Sequence, residues 1–504
     1  MPARLAPVLT LVLLAGACSG GSPEPSAAAP TTTATTAPTT TSSTTTTTAP
    51  PATTTSAPAV ATTTPAPAVT PAVPAAGPCT VTAGYPAPWP ERPRYTARLN
   101  VDAEARMVTG TTSVRFTPDA ATDRLVFRFW ANAPRLGRAG SRFEVITAFL
   151  GDQPIAGTYE PAGAAPGRPG TLYSIPGSFP AGQVAEARID FRLFMPGPVN
   201  DRVSLVGGAF RLGSVLPVLS WVRSAGWQTA PAVDAFAEAA ATEVADWDVT
   251  VTAPPGYSTL ATGVEASPGR FVAEAARDWA ATVAPMRIAE APAQGGRTTV
   301  AVGVAEGSVG DPAVLAQRVV AALDGLAARY GDYPYPRLSM GVTGSLSGGI
   351  EFPMHIHLGS GVHNSHLIHE VAHQWFYGVA GNDQYAHPFL DEALASYAEA
   401  RVSGRVPGQR ARSVPAAGRT RLGESMAYWN RQGRTYFLSI YIGGLQALAT
   451  YGDAVGGYDA LDCALRRYHR DRAYSLSAPA NFFDALTSQT GVDPRPVLAR
   501  FGLS

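Results

Sequence analysis

The chain has 504 residues, and its 38 acidic and 38 basic side chains give a formal net charge of zero. This balance argues against a nucleic-acid partner, which requires a concentration of positive charge. Beyond residue 78, where the composition changes, the chain is long enough for two or more domains.

The first 17 residues are predicted to be a signal peptide. Arg4 is their only charge, and the apolar run 5–14 is too short to span a membrane as a stable helix. Residues 15–18, Ala-Gly-Ala-Cys, resemble a bacterial lipoprotein box, although Ala stands where Leu is usual. Cys18 would carry the lipid and anchor the protein outside the cytoplasm, at the bacterial cell membrane. The alternative is simple cleavage and secretion.

Residues 19–78 consist almost wholly of Thr, Ala, Pro, Ser and Val. Such a segment cannot bury a core, so residues 18–78 are predicted to be a disordered tether that starts at the lipidated Cys18. Two further cysteines, Cys79 and Cys463, stand near the two ends of the remaining chain. Outside the cytoplasm they are able to form a disulfide, and the alternative is two buried thiols.

The first part of the remaining chain, residues 79–288, is predicted to be a β-rich domain. Runs in which apolar and polar residues alternate predict strands, and loops rich in Gly and Pro separate them. The predicted strands are 94–102, 111–117, 124–130, 188–194 and 247–253.

The second part, residues 289–504, is predicted to be mainly helical. Asp311 and Pro312 start a helix whose apolar residues recur at helical spacing, and Gly331 ends it. A strand-like stretch follows at Arg337–Thr343. The predicted fold class is therefore α+β, with a β-sheet-rich N-terminal domain before a mainly helical domain.

Residues 369–373 read His-Glu-Val-Ala-His, and Glu392 follows after 18 intervening residues. On a helix, positions i and i+4 share a face, so His369 and His373 are predicted to bind one Zn²⁺ ion per chain, with Glu392 as the third ligand. Glu370 is the predicted general base, acting on a zinc-activated water molecule.

The helix that carries the histidine pair is predicted to span residues 365–377, with Asn364 or Ser365 as its N-cap. Its apolar side chains, among them Trp375 and Phe376, are assigned to the core and not to substrate binding.

A second helix, residues 390–399, is predicted after Pro388 and carries Glu392. Glu399 lies seven residues beyond Glu392, on nearly the same face, and is a candidate to orient a zinc-binding histidine. The remaining histidines nearby are interpreted as solvated or structural, not as a second metal site: His355, His357, His363 and His366.

The spacing of the motif resembles that of the aminopeptidase N family of gluzincin zinc metallopeptidases. Residues 348–353, Gly-Gly-Ile-Glu-Phe-Pro, resemble that family's Gly-x-Met-Glu-Asn exopeptidase motif, and residues 441–444, Tyr-Ile-Gly-Gly, resemble its Tyr-x-Lys-Gly stretch. The resemblance covers about residues 90–504. It implies a β-sheet N-terminal domain followed by a thermolysin-like catalytic domain, in a bacterial lipoprotein-type member that lacks the helical C-terminal domain of larger members.

The same resemblance implies roles for single residues. Glu351 would bind the free α-amine of the substrate, with Gly348 and Gly349 beside it in the substrate-binding motif. Tyr441 would donate a hydrogen bond to the tetrahedral oxyanion, and Tyr436 is its rival for this role. The sequence departs from the family pattern without losing a ligand or the base, at Ile350 for Met, Phe352 for Asn, Ala393 for Gly and Gly443 for Lys.

These observations predict a zinc-dependent aminopeptidase that hydrolyses the N-terminal peptide bond of peptides. One alternative is a thermolysin-like endopeptidase, against which Glu351 argues. The other is a catalytically inactive zinc-containing binding module, against which the retention of Glu370 and all three ligands argues. The preferred N-terminal residue and the oligomeric state stay open.

Overall fold

The computed structural model of the chain describes residues 79–81, 84–234 and 241–503. The predicted signal peptide, the lipidation site Cys18 and the predicted tether lie outside these residues. None of the helices in the described residues combines the length and the apolarity needed to cross a membrane.

The first part of the described chain is built of strands. In β1 (Arg94–Asp102) every second side chain is buried, from Tyr95 to Val101, as the alternating sequence predicts. A short helix, α1 (Pro134–Arg138), interrupts the strands. The other strands of this part are β2 (Met107–Phe116), β3 (Thr122–Arg128), β4 (Arg142–Leu150), β5 (Gln153–Ile155), β6 (Thr158–Glu160), β7 (Leu172–Phe179), β8 (Ala185–Phe194), β9 (Val203–Val206), β10 (Ala209–Gly213), β11 (Val218–Leu219), β12 (Trp221–Val222), β13 (Gly226–Trp227), β14 (Ala245–Thr252), β15 (Ser258–Ala261), β16 (Val264–Ser267), β17 (Arg270–Ala276) and β18 (Ala280–Ala284).

These strands form one sheet of eight strands, two sheets of four and one of two. The order in the large sheet is β16–β17–β14–β1–β2–β8–β4–β5, and its neighbours are antiparallel except β1 and β14. The four-stranded sheets have the orders β15–β18–β10–β9 and β11–β3–β7–β6, and β12 pairs with β13. The β-rich first part is therefore confirmed, although three of the predicted strands, 111–117, 124–130 and 247–253, begin and end earlier than expected.

The second part combines one sheet with helices. Its elements are β19 (Met286–Ala293), β20 (Thr298–Ala305), α2 (Pro312–Tyr330), β21 (Arg337–Thr343), β22 (Gly349–Phe352), β23 (His355–Gly359), α3 (Asn364–Ala372), β24 (Gly381–Asn382), α4 (Leu394–Val402), α5 (Val406–Arg410), α6 (Ala416–Arg419), α7 (Met426–Trp429), α8 (Arg434–Phe437), α9 (Gly444–Ala454), α10 (Tyr458–Asp471), β25 (Leu476–Ser477), α11 (Pro479–Thr490) and α12 (Arg495–Leu498). Two π-helical turns complete it, the first π-turn at Phe389–Ala393 and the second π-turn at Leu438–Gly443. The fold class is α+β, as predicted.

The five-stranded sheet of this part has the order β19–β20–β21–β23–β22, which leaves β22 at its edge. Helix α2 connects the parallel strands β20 and β21. Its sequence signals are confirmed, because the Asp311 side chain accepts from the first-turn N–H groups and Gly331 follows the last residue with φ +98°. The predicted domain boundary at residue 288 falls inside β19, and the division into domains stays a prediction.

The beginning of the described chain is attached to the helical part. Cys79 and Cys463 form a disulfide, with Cα atoms 5.5 Å apart, so the pairing left open by the sequence is resolved. The Tyr85 hydroxyl donates to the carbonyl oxygen of Asp332, and its ring packs edge-on against His469. The chain therefore crosses the helical part, at α10, before it enters β1.

Candidate metal centre

Helix α3 places the histidine pair, but it is shorter than predicted. Its N-cap is His363, whose Nδ1 accepts from the backbone N–H of Ser365 at 3.2 Å, so the prediction of Asn364 or Ser365 as the cap is wrong. A ring nitrogen without a proton serves here as the acceptor that capping requires. The helix ends at Ala372 and not at residue 377.

The early end of α3 has a cause that lies far away in sequence. Arg277, which follows β17 and is fully buried, donates Nε to the carbonyl oxygen of Tyr377 at 2.6 Å and Nη2 to that of Val379 at 3.1 Å. Tyr377 has φ +123°, a conformation that an α-helix does not contain. The guanidinium thus holds carbonyl groups of the turn that follows His373.

Three donor atoms converge as the motif predicts. Nε2 of His369 lies 2.9 Å from Oε2 of Glu392 and 3.0 Å from Nε2 of His373. The third side of this donor triangle, from His373 Nε2 to Glu392 Oε2, measures 3.5 Å. The three side chains come from α3, from its C-terminal cap and from the first π-turn.

The donor triangle fits zinc. With Zn–N and Zn–O bonds of about 2.0–2.2 Å and tetrahedral angles, ligand atoms lie about 3.3–3.5 Å apart, close to the sides of the triangle. Two imidazoles and one carboxylate are a catalytic ligand set that leaves a fourth position open. Burial works against ionisation of Glu392, yet His373 and His369 beside it hold the pKa of this carboxyl well below its usual range, so the carboxylate form of the ligand is present.

Glu370 lies next to the triangle, against the edge strand β22. A Cβ atom at Gly349 would lie 2.2 Å from Glu370 Cγ, so only glycine leaves space for this side chain. Gly348, the other glycine of the motif, has no neighbour closer than 4.0 Å to such an atom. Burial raises the pKa of the Glu370 carboxyl well above its usual range; His373 opposes the rise, and Glu351 and Glu392 add to it.

Tyr441 is the tyrosine that reaches the histidine pair. It lies on the second π-turn, and its ring stacks on that of His369, with 5.5 Å between the ring centroids and 16° between the planes. Tyr436, the rival, is buried and packs between Trp429 and Tyr441. The geometry favours Tyr441.

The first π-turn packs against Gly444, which directly follows the second π-turn as the first residue of α9. A Cβ atom at Gly444 would lie 2.3 Å from Cβ of Ala393. Gly444 therefore makes room for the alanine that stands at position 393, where the resembling family commonly has glycine. This close approach fixes the turn of Glu392 against the turn of Tyr441.

Glu351 lies on β22, the edge strand of the five-stranded sheet, which the sequence did not predict as a strand. Burial raises the pKa of its carboxyl to about 7, with His373 opposing and Asp391 and Glu392 adding to the rise. Gln374 attaches the strand to the histidine segment, because its Nε2 donates to the Phe352 carbonyl oxygen at 3.0 Å. The Phe352 side chain packs in the core against His357, which accommodates the departure from Asn.

Two residues of the site were not predicted. Asp391 Oδ1 lies 2.8 Å from Nδ1 of His373 as an ion pair, and the same nitrogen is hydrogen-bonded to the Phe376 carbonyl oxygen at 3.2 Å, so both oxygens face this side of the ring. Gln384 donates to Asp391 and to Glu351. An acidic residue directly before a ligand was the available signal for Asp391, whereas no sequence signal indicated Gln384.

The prediction that Glu399 orients a zinc histidine is wrong. Its carboxylate accepts from Arg405 at 2.6 Å and from Ser403 at 3.0 Å, on the far end of α4. The carboxylate beside the histidine pair is that of Asp391, whose Oδ1 lies 2.8 Å from His373 Nδ1.

The other histidines near the motif have structural positions. His355 and His357 are fully buried on β23, and Ser339 and Thr282 bond to the two ring nitrogens of His355. Trp375 and Phe376 are fully buried, as predicted. Burial lowers the pKa of His355 to about 3, so this ring is neutral in the core.

Comparison with known proteins shows the fold. No family model and no curated protein sequence matches the chain. Solved structures do match, among them an M1 zinc metallopeptidase from Deinococcus radiodurans, with 16% identity, a TM-score of 0.59 and coverage of 83% of this chain and 96% of that one. The same enzyme as a variant bound to a Tyr-Ser-Ala substrate gives a TM-score of 0.60 with the same identity and coverage. A two-domain M1 zinc metallopeptidase variant bound to L-arginine also gives 0.60 at 16% identity.

Proposed function

We propose that the chain is a zinc-dependent aminopeptidase that hydrolyses the N-terminal peptide bond of peptides. The observation that carries this proposal is the combination of the donor triangle with two further carboxylates, Glu370 beside it and Glu351 on the edge strand. The neighbours of the same fold are M1 zinc metallopeptidases, one of them with a bound peptide substrate, which supports peptidase chemistry for this chain as well.

The zinc ion would be held by His369, His373 and Glu392, and when bound it supplies a Lewis acid that polarises the scissile carbonyl and makes water acidic enough to react near neutral pH. Glu370, buried and with a raised pKa, accepts the proton of the attacking water and passes it to the leaving amine. The Tyr441 hydroxyl donates a hydrogen bond to the oxygen on which negative charge develops.

Glu351 gives the site its preference for a free N-terminus. Its carboxylate is almost fully buried, where a positive α-ammonium stabilises the charged form and a neutral amide does not. Substrates with a free α-amine are therefore bound better than acetylated ones. An internal segment of a long chain cannot supply that ammonium, which separates this proposal from an endopeptidase.

The test is a panel of aminoacyl fluorogenic substrates, each free and N-acetylated, with and without a chelator. We expect hydrolysis of the free substrates only, loss with chelator and recovery with Zn²⁺. Glu370→Gln should keep its zinc but lose activity by about 10²–10⁴-fold, because general-base catalysis contributes that much. Wild-type rates in Glu370→Gln would overturn the mechanism, and efficient cleavage of an internal bond in an acetylated peptide would favour the endopeptidase.

We further propose that Cys18 is lipidated and anchors the enzyme at the outer face of the cell membrane. The proposal rests on the signal-peptide pattern and the cysteine that follows it. Detergent-phase partitioning of the wild type and of Cys18→Ser decides it. The wild type should enter the detergent phase and the variant should not, and equal partitioning of both into water would favour secretion.

A further inference from the structure

Gln384 occupies the space between two carboxylates of the site. It lies between β24 and the first π-turn and is 2% exposed. Its Nε2 donates to Oε1 of Glu351 at 3.0 Å and to Oδ2 of Asp391 at 2.6 Å. One amide group thus bonds to the carboxylate proposed to bind the substrate amine and to the carboxylate that holds a zinc-binding histidine.

The orientation of this amide follows from its neighbours. An NH₂ group offers two hydrogens, one for each carboxylate, whereas the flipped amide would point its carbonyl oxygen at two acceptors. Glu351, His373 and Asp391 offer ligand atoms within 4.8 Å of one another, which has the composition of a second cation site. The amide nitrogen is hydrogen-bonded to two of these three residues, Glu351 and Asp391.

The backbone around Gln384 is held firmly enough to position its side chain. The Asp383 carboxylate accepts from the Ala386 N–H at 2.9 Å, and Asn382 Nδ2 donates to the His387 carbonyl oxygen at 3.1 Å. The Tyr385 carbonyl oxygen accepts from the Met426 N–H at 2.8 Å. The turn is therefore attached on both sides of Gln384.

We infer that Gln384 is a positioning residue that couples recognition of the substrate amine at Glu351 to the orientation of His373, through Asp391. The part of the inference that concerns recognition of the substrate amine at Glu351 rests on the proposed aminopeptidase function. Because Oε1 of Glu351 accepts from Gln384, an incoming ammonium is directed to Oε2. Because Oδ2 of Asp391 accepts from the same amide, Oδ1 stays aimed at His373 Nδ1.

The coupling has two measurable consequences. Loss of an outer partner of a ligating histidine typically weakens metal binding ~10–100-fold; since Gln384 acts on His373 only through Asp391, we expect zinc binding to weaken by up to ~10-fold, the lower end of this range, when the amide is removed. Loss of the Glu351 contact should raise KM for a free-amine substrate ~5–150-fold, the usual range for coupling between two sites, with a smaller change in kcat.

Gln384→Met keeps the length of the side chain and removes the amide. Zinc dissociation is measured by competition with a chromophoric chelator, and KM and kcat with L-leucine 4-nitroanilide. The matched control is Gln294→Met, since Gln294 is also a buried glutamine whose Nε2 donates twice, to Thr298 Oγ1 at 2.9 Å and to the Tyr333 carbonyl oxygen at 3.1 Å. The control should lower thermal stability without moving the zinc dissociation constant or KM.

Two single variants separate the contact of Gln384 with Glu351 from its contact with Asp391. Glu351→Gln should raise KM and leave zinc affinity within about threefold, and Asp391→Asn should weaken zinc within the ~10–100-fold range. In the double variant Glu351→Gln/Gln384→Met, KM should be no higher than in Glu351→Gln alone, because position 351 then has no carboxylate for the Gln384 amide to orient. A purely structural glutamine would give additive effects.

The inference is overturned if folded Gln384→Met keeps both zinc affinity and KM within twofold of the wild type, or if the double variant is additive. If Gln384→Met does not fold, Gln384→Asn, which is one methylene too short to reach both carboxylates, is measured in the same way. A wild type with no preference for free amines would refute the proposed function instead. The zinc measurement would still decide whether Gln384 acts on zinc binding through Asp391.

Discussion

The edge strand β22 and the two π-turns both bring side chains to the site, but they differ in how well they tolerate side-chain substitutions. On β22 regular alternation sends Glu351 toward the site and its neighbour Phe352 into the core. On the π-turns an additional residue per turn displaces Glu392 and Tyr441 from a regular helical face, and the contact of Gly444 with Ala393 holds the turns together. A strand thus absorbs a large substitution that leaves its pairing intact, whereas a π-turn depends on the fit of single atoms.

The strongest test of this comparison removes Glu392, the proposed zinc ligand on the first π-turn. Glu392→Ala leaves two imidazoles, and we expect zinc affinity to fall by more than the ~100-fold that loss of an outer partner causes, with loss of hydrolysis. Glu399→Ala is the control, since that carboxylate pairs with Arg405 on α4. Metal analysis of both purified variants measures the effect, and full zinc occupancy in Glu392→Ala would identify another third ligand.

The next effect should come from the second π-turn. Tyr441→Phe removes one hydroxyl, and loss of a single oxyanion donor lowers kcat by about 10²–10³-fold. Its control is Tyr436→Phe, one turn earlier and packed in the core. Steady-state kinetics at saturating zinc separates the two, and a larger loss of kcat in Tyr436→Phe would exchange their roles.

On the strand side the sensitive position is Gly349. Gly349→Ala places a methyl group 2.2 Å from Glu370 Cγ, which must move the general base. A displacement of about 1 Å lowers rates by up to ~10²-fold, so we expect a loss of kcat in this range with zinc retained. Gly348→Ala, with 4.0 Å of clearance, should retain its activity. Equal activity of the two variants would show that Glu370 does not depend on the strand.

The smallest effect should be a loss of thermal stability. Gly444→Ala brings a methyl group to 2.3 Å from Cβ of Ala393, and overpacking of this kind destabilises by ~1–3 kcal/mol. Gly443→Ala meets its nearest neighbour, Val414, at 3.4 Å and should be neutral or slightly stabilising. Thermal unfolding compares them. Equal unfolding temperatures would mean that the close contact of Gly444 with Ala393 does not contribute to the stability of the protein.

Local signals predicted the regular elements well. Strands β1 and β21 have the predicted bounds, and α2 begins after Asp311 and ends before Gly331 because each signal acts on its own neighbourhood. The approach of His369 and His373 could also be predicted, since an i, i+4 pair needs only one turn of helix, whereas Glu392 was proposed from its spacing after the motif.

Long-range contacts account for what the sequence did not show. Helix α3 ends early because Arg277 binds carbonyl groups one hundred residues away in sequence. Gly444 meets Ala393 where the two π-turns pack, and no local pattern encodes this contact. Gln384 was missed for the same reason, because its two partners come from different elements.

The disulfide between Cys79 and Cys463 also determines where the molecule bears a mechanical load. A pull on the chain ahead of Cys79 is transmitted through the covalent bond to α10, in the helical part. It does not reach β1, which starts at Arg94 and pairs with both β2 and β14 in the middle of the eight-stranded sheet. With the bond reduced, the same pull would act along β1 and load the ladders on both of its sides. The bond therefore shields the sheet from tension and directs it to a helix packed into the core.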